Sequence, residues 1–309
     1  MNLRRLKYFV KIVDIGSLTQ AADVLHIAQP ALSQQIATLE GEFRQQLLVR
    51  TKRGVTPTEA GQILYRHAQI ILRQIEQAQS DVNNIGRSLS GQVSVGLAPG
   101  TAASALALPL LKAVRARHPA ILLYLNENFG TTLSELVMNG RMDMAVLYAG
   151  KTGVHGLSYR LLLKEPLFLV APRSDSAPLS EIELAQLNNR DLLLPRPYNY
   201  LRKYVDEAFA SLNLKPNVVA EIESAATLTA AIAAGLGATI LPESAARVMA
   251  NSIQTTLCRI VAPSIEAPLA LCESDHLPLS EPAQAVKDII LELFEQQTID
   301  LGLDERIAD

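Results

Sequence analysis

Gln29, Pro30, Ala31, Ser33 and Gln34 crowd into one short stretch, and each is small or hydrogen-bonding and uncharged. On the outward face of a helix, such side chains can approach base edges in a major groove. There an amide reads adenine, and a small apolar group tolerates the thymine methyl. Farther on, Arg50, Lys52 and Arg53 place three cations within four residues. Cations of that kind neutralise phosphates, which confers affinity and salt dependence but little sequence information. Taken singly, the first cluster is equally well an ordinary helical hairpin with a solvated face, and the second a solvated turn. Their adjacency favours a nucleic-acid surface.

Several elements must position these residues. Ser17 and Gln20 have capping-box spacing and open a short helix on which Ala21, Ala22 and Leu25 are the packing face. His26-Ile27-Ala28 breaks it, and Pro30 suits the first turn of a second helix. Leu32, Ile36 and Leu39 recur there at i, i+4, i+7 as a buried stripe, leaving Gln29, Ala31, Ser33, Gln34 and Thr38 outward. Leu3, Leu6, Phe9, Val10 and Val13 predict a preceding helix that closes a three-helix core, with Arg4, Arg5, Lys7 and Lys11 on its solvated side. Leu47–Val49 and Val55-Thr56, either side of Arg50–Gly54, read as a two-stranded wing tipped by the cations.

Thr56-Pro57-Thr58-Glu59 resembles a second capping box with Pro in the first turn. The helix it starts runs to about Arg87, roughly 45 Å at 1.5 Å per residue. Along it Leu64, Ala68, Ile71, Ile75, Ala78, Val82, Ile85 and Leu89 step by four and three, a heptad-like stripe suited to a two-helix dimer seam. Packing on its own domain would produce a similar stripe, but the helix's length and place between two domains favour the dimer. Gly86, Ser88, Ser90 and Gly91 mark a hinge.

Beyond Gly91 short apolar strands alternate with helices. Strands are expected at 93–97, 121–126, 142–148, 167–172, 192–195, 218–223 and 238–242. Helices are expected at 101–117, 131–139, after Ser180 with Glu183 behind it, near 199–212, and at 225–234. This alternation indicates parallel βαβ units, and two sets in tandem indicate two α/β lobes with a cleft between them. A strand at Pro268–Cys272 and a helix at 281–297 would return to the first lobe. The expected organisation is a DNA-binding head at 1–58, a dimerising linker helix at 59–90, a two-lobed domain at 91–297 and a frayed tail at 298–309. Lobe I takes about 91–162 and 266–297, and lobe II about 163–265.

Composition narrows the function. Across 309 residues the net charge is −3, yet residues 1–90 carry 11 Lys and Arg against 7 Asp and Glu. A basic head on an acidic body suggests that the head alone meets phosphate, and the acidic body argues against a non-specific architectural DNA protein. Cys258 and Cys272 are the two cysteines, with no CxxC, so a disulfide scaffold or zinc site is not expected. His26, His67, His118, His155 and His276 are scattered without metal-ligand spacing, and no GxSxG, Walker loop or HExxH occurs. Neither catalysis nor a resident cofactor is expected. A free solute-binding protein could use the same lobes but would need an export signal and no basic head. The N-terminus MNLRRLKYF has no apolar signal core, and no run of about 18 uncharged apolar residues appears. A cytoplasmic protein without a membrane span is expected.

The ordered elements, with LRRLKYFVKIVDIGSLTQAADVLHIAQPALSQQIATLE and LLVRTKRGVTPTEAG in the head, resemble the LysR-type transcriptional regulators over nearly the whole length. LSGQVSVGLAPGTAAS, EIESAATLTAAIAAG and ATILPESAAR are similar to a branch of that family controlling nitrogen assimilation. The resemblance implies a winged helix-turn-helix, a linker helix and an effector domain of periplasmic-binding-protein type. It implies homodimers, commonly paired into tetramers, that bend operator or promoter DNA and activate or repress transcription, with RNA polymerase as a further partner. Carried over, base contacts fall on Gln29, Pro30, Ala31, Ser33 and Gln34, and wing contacts on Arg50, Lys52 and Arg53. Co-inducers in such regulators are generally small anions or aromatic acids held at Ser/Thr-bearing turns at the strand ends. That makes Thr101, Ser104, Thr131, Arg196, Tyr198 and Thr227 the candidate cleft residues, although helix capping explains each Ser or Thr equally well. Ala98-Pro99-Gly100 departs from the polar turn common in the family, which points to a regulator acting without a co-inducer. The alternative within the family is a co-inducer-responsive regulator of another pathway.

Overall fold

The computed structural model describes residues 2–51, 54–84, 89–99, 102–150, 153–173 and 180–300, in two compact units. In the first, α1 (Leu3–Ile15), α2 (Leu18–Val24) and α3 (Gln29–Phe43) precede a hairpin of β1 (Leu48–Thr51) and β2 (Gly54–Pro57), and α4 (Glu59–Asn84) follows. Ser17 caps α2, its hydroxyl accepting the Gln20 N–H at 3.4 Å. The break after α2 is a left-handed His26 at φ 53, with the Ile27 N–H returning to the Ala22 carbonyl at 3.1 Å. That closes the helix as a Schellman turn, with a histidine where glycine is commoner.

The core of this unit contains Leu6, Phe9 and Ile12 of α1, Ala21 and Ala22 of α2, and Leu32, Ile36 and Leu39 of α3, all buried. Leu3, expected in the α1 stripe, is instead 44% exposed. Thr58, not Thr56, caps α4: its hydroxyl accepts the Gly61 N–H at 3.0 Å, while Pro57 ends β2. The α4 stripe divides as well. Leu64 and Ala68 are buried in the core of their own unit, and Ile71 packs partly against it, so intramolecular packing explains the first turns of the expected seam. Ile75 is half-buried, Ala78 exposed and Val82 68% exposed; Ile85 lies outside the described residues.

The second unit begins with β3 (Gly91–Leu97), α5 (Ala102–Arg117), β4 (Ile121–Glu127), α6 (Gly130–Met138) and β5 (Met144–Tyr148). It continues with β6 (Leu157–Pro172), β7 (Glu181–Glu183), β8 (Leu192–Leu194), α7 (Tyr200–Ser211), β9 (Val218–Glu221) and α8 (Ala225–Ala233). β10 (Thr239–Pro242), α9 (Glu243–Ser252), β11 (Thr255–Val261), β12 (Glu266–Ser274) and α10 (Glu281–Asp300) complete it. β3 pairs in parallel with β4 and β5, and β12 pairs antiparallel with β5 and β6.

β6 is longer than expected and joins both lobes. Up to Pro166 it pairs with β12, and from Leu167 it pairs with β10, with β11 joining from Phe168. The helix expected behind Ser180 is absent. β7 lies parallel to β11, and a single 3₁₀ turn (Leu184–Leu187) follows, boxed by Glu183 and Gln186. The capping-box spacing was present, shifted by three residues. Strand β11 and helix α9 are elements that the sequence pattern did not reveal. Among the described residues no helix is long and apolar enough to cross a membrane.

Candidate nucleic-acid interface and cleft

Helix α3 starts at Gln29 from an extended Ala28 without a side-chain cap, so Pro30 in the first turn costs no N–H partner. Because Leu32, Ile36 and Leu39 are buried, Gln29, Pro30, Ala31 and Gln34 are exposed together and Ser33 is half-buried beside them. Thr38 donates its hydroxyl proton back to the Gln34 carbonyl at 2.9 Å, which leaves its exposed oxygen as an acceptor on that face. The wing closes onto this helix: Arg50 Nη1 donates to Ser33 Oγ at 2.9 Å, joining two candidate residues distant in sequence. Lys52 and Arg53 lie outside the described residues. Behind the face, Arg5 Nε donates to Gln35 Oε1 at 3.0 Å and pairs with Glu42, fastening α1 to α3.

Two features hold the wing. The Val55 N–H donates to the Gly16 carbonyl at 2.8 Å, and Gly54, at φ +132, approaches so closely that a Cβ would lie 2.6 Å from that oxygen. At the other strand, Glu40 Oε1 accepts the Leu47 and Leu48 N–H groups. Glu40 was missed in the sequence because it reads as one more polar residue at a helix end.

In the second unit a cleft of about 110 Å³ opens between the lobes. Its lining includes Ala98, Phe129, Thr131, Tyr148, Tyr198, Tyr200 and Glu223. Of the candidates, Thr131 and Tyr198 are on it. Arg196 and Thr227 are exposed and outside the lining; Thr227 gives its N–H to Ser224 Oγ at 3.3 Å, the ordinary work of a helix cap. Thr101 and the Ser104 side chain lie outside the described residues. Phe129, Tyr148, Tyr200 and Glu223 were not anticipated, since the segments bearing them are far apart in sequence.

At the rim of the cleft the Arg196 guanidinium and the Glu223 carboxylate act on Tyr198 in opposite directions, the carboxylate prevailing. Glu223 is the one charged residue among the described lining, and its Oε1 accepts the Tyr198 hydroxyl at 2.6 Å, pushing that phenol up. On the floor, burial and then the Glu165 charge drive Tyr148 well above the ordinary phenol range. The Tyr148 hydroxyl donates to Glu165 Oε2, and Glu165 Oε1 accepts the Ser244 N–H at 3.1 Å. Because Tyr148 ends β5, Glu165 lies at the crossover of β6 and Ser244 opens α9, this buried chain ties lobe to lobe. Tyr204 of α7 adds a second tie, donating to the Ala149 carbonyl at 2.7 Å. Among the described residues no group of three or more His, Cys, Asp or Glu could hold a metal ion. Burial pushes the Cys272 thiol up to about 12, so it is chemically quiet.

Comparison with known proteins assigns both units. Residues 3–62 match the bacterial regulatory helix-turn-helix of the lysR family, and residues 86–295 match the LysR substrate binding domain. The chain belongs to the LysR family of transcriptional regulators. It is 56% identical over 300 residues to the nitrogen assimilation regulatory protein of Klebsiella aerogenes, covering 97% of each chain. It is also 56% identical to the Escherichia coli protein of that description, covering 95% of each. Among solved structures it resembles an OxyR mutant from Corynebacterium glutamicum, with TM-score 0.60 and 25% identity over 98% of this chain and 95% of that one. Full-length CbnR complexed with its target DNA shares the fold, with TM-score 0.65 and 22% identity over 94% of this chain and 98% of that one.

Proposed function

We propose that this regulator controls genes of nitrogen assimilation and binds its operators without a small-molecule co-inducer. The observation that carries the pathway is the 56% identity to nitrogen assimilation regulators, over an alignment that spans 97% of the chain. The cleft supports the absence of a co-inducer: its charged lining residue is a carboxylate, and its lobes are tied at the floor by Tyr148 and Glu165. In this reading a homodimer joined along the outer part of α4 presents two recognition helices to half-sites about one turn apart. Pairing of dimers into a tetramer extends the footprint and bends the DNA, and contact with RNA polymerase follows from bound position. The protein acts in the cytoplasm, with DNA as its partner and no cofactor.

Gln29, Pro30, Ala31, Ser33 and Gln34 supply the base-facing surface, and Arg50, Lys52 and Arg53 the phosphate contacts. Transcript sequencing of the source bacterium, with the gene intact and deleted, tests the pathway. Gene-dependent changes should concentrate in nitrogen uptake and assimilation and appear when nitrogen is limiting. Changes confined to another pathway would replace this reading with that of a co-inducer-responsive regulator.

A further inference from the structure

Glu40 occupies a position that helix energetics disfavour. It lies in the last turn of α3, where a carboxylate faces the negative end of the helix dipole. Its Oε1 accepts the Leu47 N–H at 2.8 Å and the Leu48 N–H at 3.2 Å. Both residues are 2% exposed, so their N–H groups have little access to water and need a protein partner. Two charge-assisted bonds to such donors offset the unfavourable dipole.

The peptide they hold is the root of the wing. While α3 takes the Leu47 N–H, α4 takes the other side: the Leu47 carbonyl accepts the Thr58 N–H at 2.9 Å. A Cβ on Gly61 would lie 2.0 Å from that carbonyl oxygen, so α4 can approach it only because residue 61 is glycine. Opposite Pro57, which has no N–H, the Leu48 carbonyl accepts Gln46 Nε2 at 3.0 Å. Two residues beyond Leu48, Arg50 reaches Ser33 on α3. The start of β1 is thus fixed at each of its polar atoms, and Glu40 supplies the fixings that come from the recognition helix itself.

We infer that Glu40 is a positioning residue for DNA binding: through the Leu47 and Leu48 amides it sets the wing against the recognition helix, so that phosphate and base contacts are made in one register. This rests on the reading of the wing as a phosphate-contacting element. Glu40 touches no DNA in this account, and its own charge works against binding. That gives the test a sign. Removing a carboxylate from a DNA-facing unit by charge alone strengthens binding, whereas releasing the wing weakens it and flattens the salt dependence.

The experiment measures affinity of the full chain for an operator fragment, recovered from genomic DNA by the protein itself, across a potassium chloride series. Glu40→Ala should bind about tenfold more weakly at moderate salt, with a salt slope shallower by about 1. Glu40→Gln, which keeps an acceptor oxygen and loses the charge, should bind as wild type or tighter. In a double-mutant cycle, Glu40→Ala and Arg50→Ala should be non-additive, while Glu40→Ala and Gln34→Ala should add. Glu40→Ala binding as tightly as Glu40→Gln, with an unchanged slope, would overturn the inference. Should Glu40→Ala fail to fold, Glu40→Asp decides, since it keeps the charge and shortens the reach. A loss of affinity and slope there supports positioning, and wild-type values overturn it. If Arg50→Ala alone changes neither affinity nor slope while Glu40→Ala changes both, the phosphate reading of Arg50 fails and the role of Glu40 stands apart from it.

Discussion

The recognition face and the interlobe cleft are built on opposite plans. The face takes one helix and one hairpin within a short stretch of chain, and presents the exposed Gln29, Pro30, Ala31 and Gln34 beside the exposed cation Arg50. The cleft draws on segments from both lobes, is lined by aromatic rings with one carboxylate among the described residues, and places its most consequential polar contact, Tyr148 to Glu165, out of the solvent. A site for a polyanion must hold cations ready at low desolvation cost. A site for a small anion would hold at least one cation where water is scarce, because an unpaired buried anion is expensive. The exposed Arg50 answers to the first condition in the head, and the second is not met among the described residues that line the cleft. The contrast is what the proposed reading rests on, with binding chemistry in the head and a holding role for the cleft.

Four substitutions would break or sharpen that contrast. The largest effect is expected from Ile75→Glu, which places a charge in the outer part of the α4 stripe. Light scattering should show monomers, and operator affinity should fall by about 10²–10⁴-fold as two-site binding is lost. An intact dimer would remove Ile75 from the seam. Tyr148→Phe leaves Glu165 with the Ser244 N–H and without its phenol donor, so the second unit should lose about 1–3 kcal/mol in a denaturant titration. Operator affinity should stay near wild type at a temperature where the unit is folded. A large loss of DNA binding without a loss of stability would mean that the cleft governs the head.

Gln34→Ala should cost about 1–3 kcal/mol at one base pair and relax preference there. An equal loss on every sequence, seen by binding to a set of single-substituted operators, would make Gln34 a surface residue and not a reader. Arg53→Ala should weaken binding to all sequences alike and reduce the salt slope by about 1. A slope equal to wild type would strike Arg53 from the phosphate contacts.

The same contrast explains what was legible in the sequence. Local signals describe the head well because its pieces are short and capped in place: Ser17 over Gln20, Pro30 in a first turn, and Leu32, Ile36 and Leu39 on one side. What was misread there came from tertiary contacts. Leu64 and Ala68 have seam spacing and spend it on their own core, and Thr56-Pro57 looks like a cap but belongs to β2. In the second unit, α9 escaped notice because it starts at Pro242 without a side-chain cap. Strand β7 was hidden by a Ser180–Glu183 spacing that mimics a capping box, while its real partner, β11, lies far along the chain. The cleft was the least legible. Thr131 and Tyr198 line it because each follows a strand end closely in the chain, but Phe129, Tyr148, Tyr200 and Glu223 meet only when both lobes have folded.

The central claim is that the head finds its sites without help from a ligand in the cleft. Its most direct test is genome-wide occupancy of the purified protein on fragmented chromosomal DNA, with no small molecule added. A shared, partly palindromic site in the bound fragments, recovered at physiological salt, is the result expected. Weak, salt-sensitive binding with no common site would contradict the claim and assign the missing part to a ligand of the cleft beside Thr131 and Tyr198.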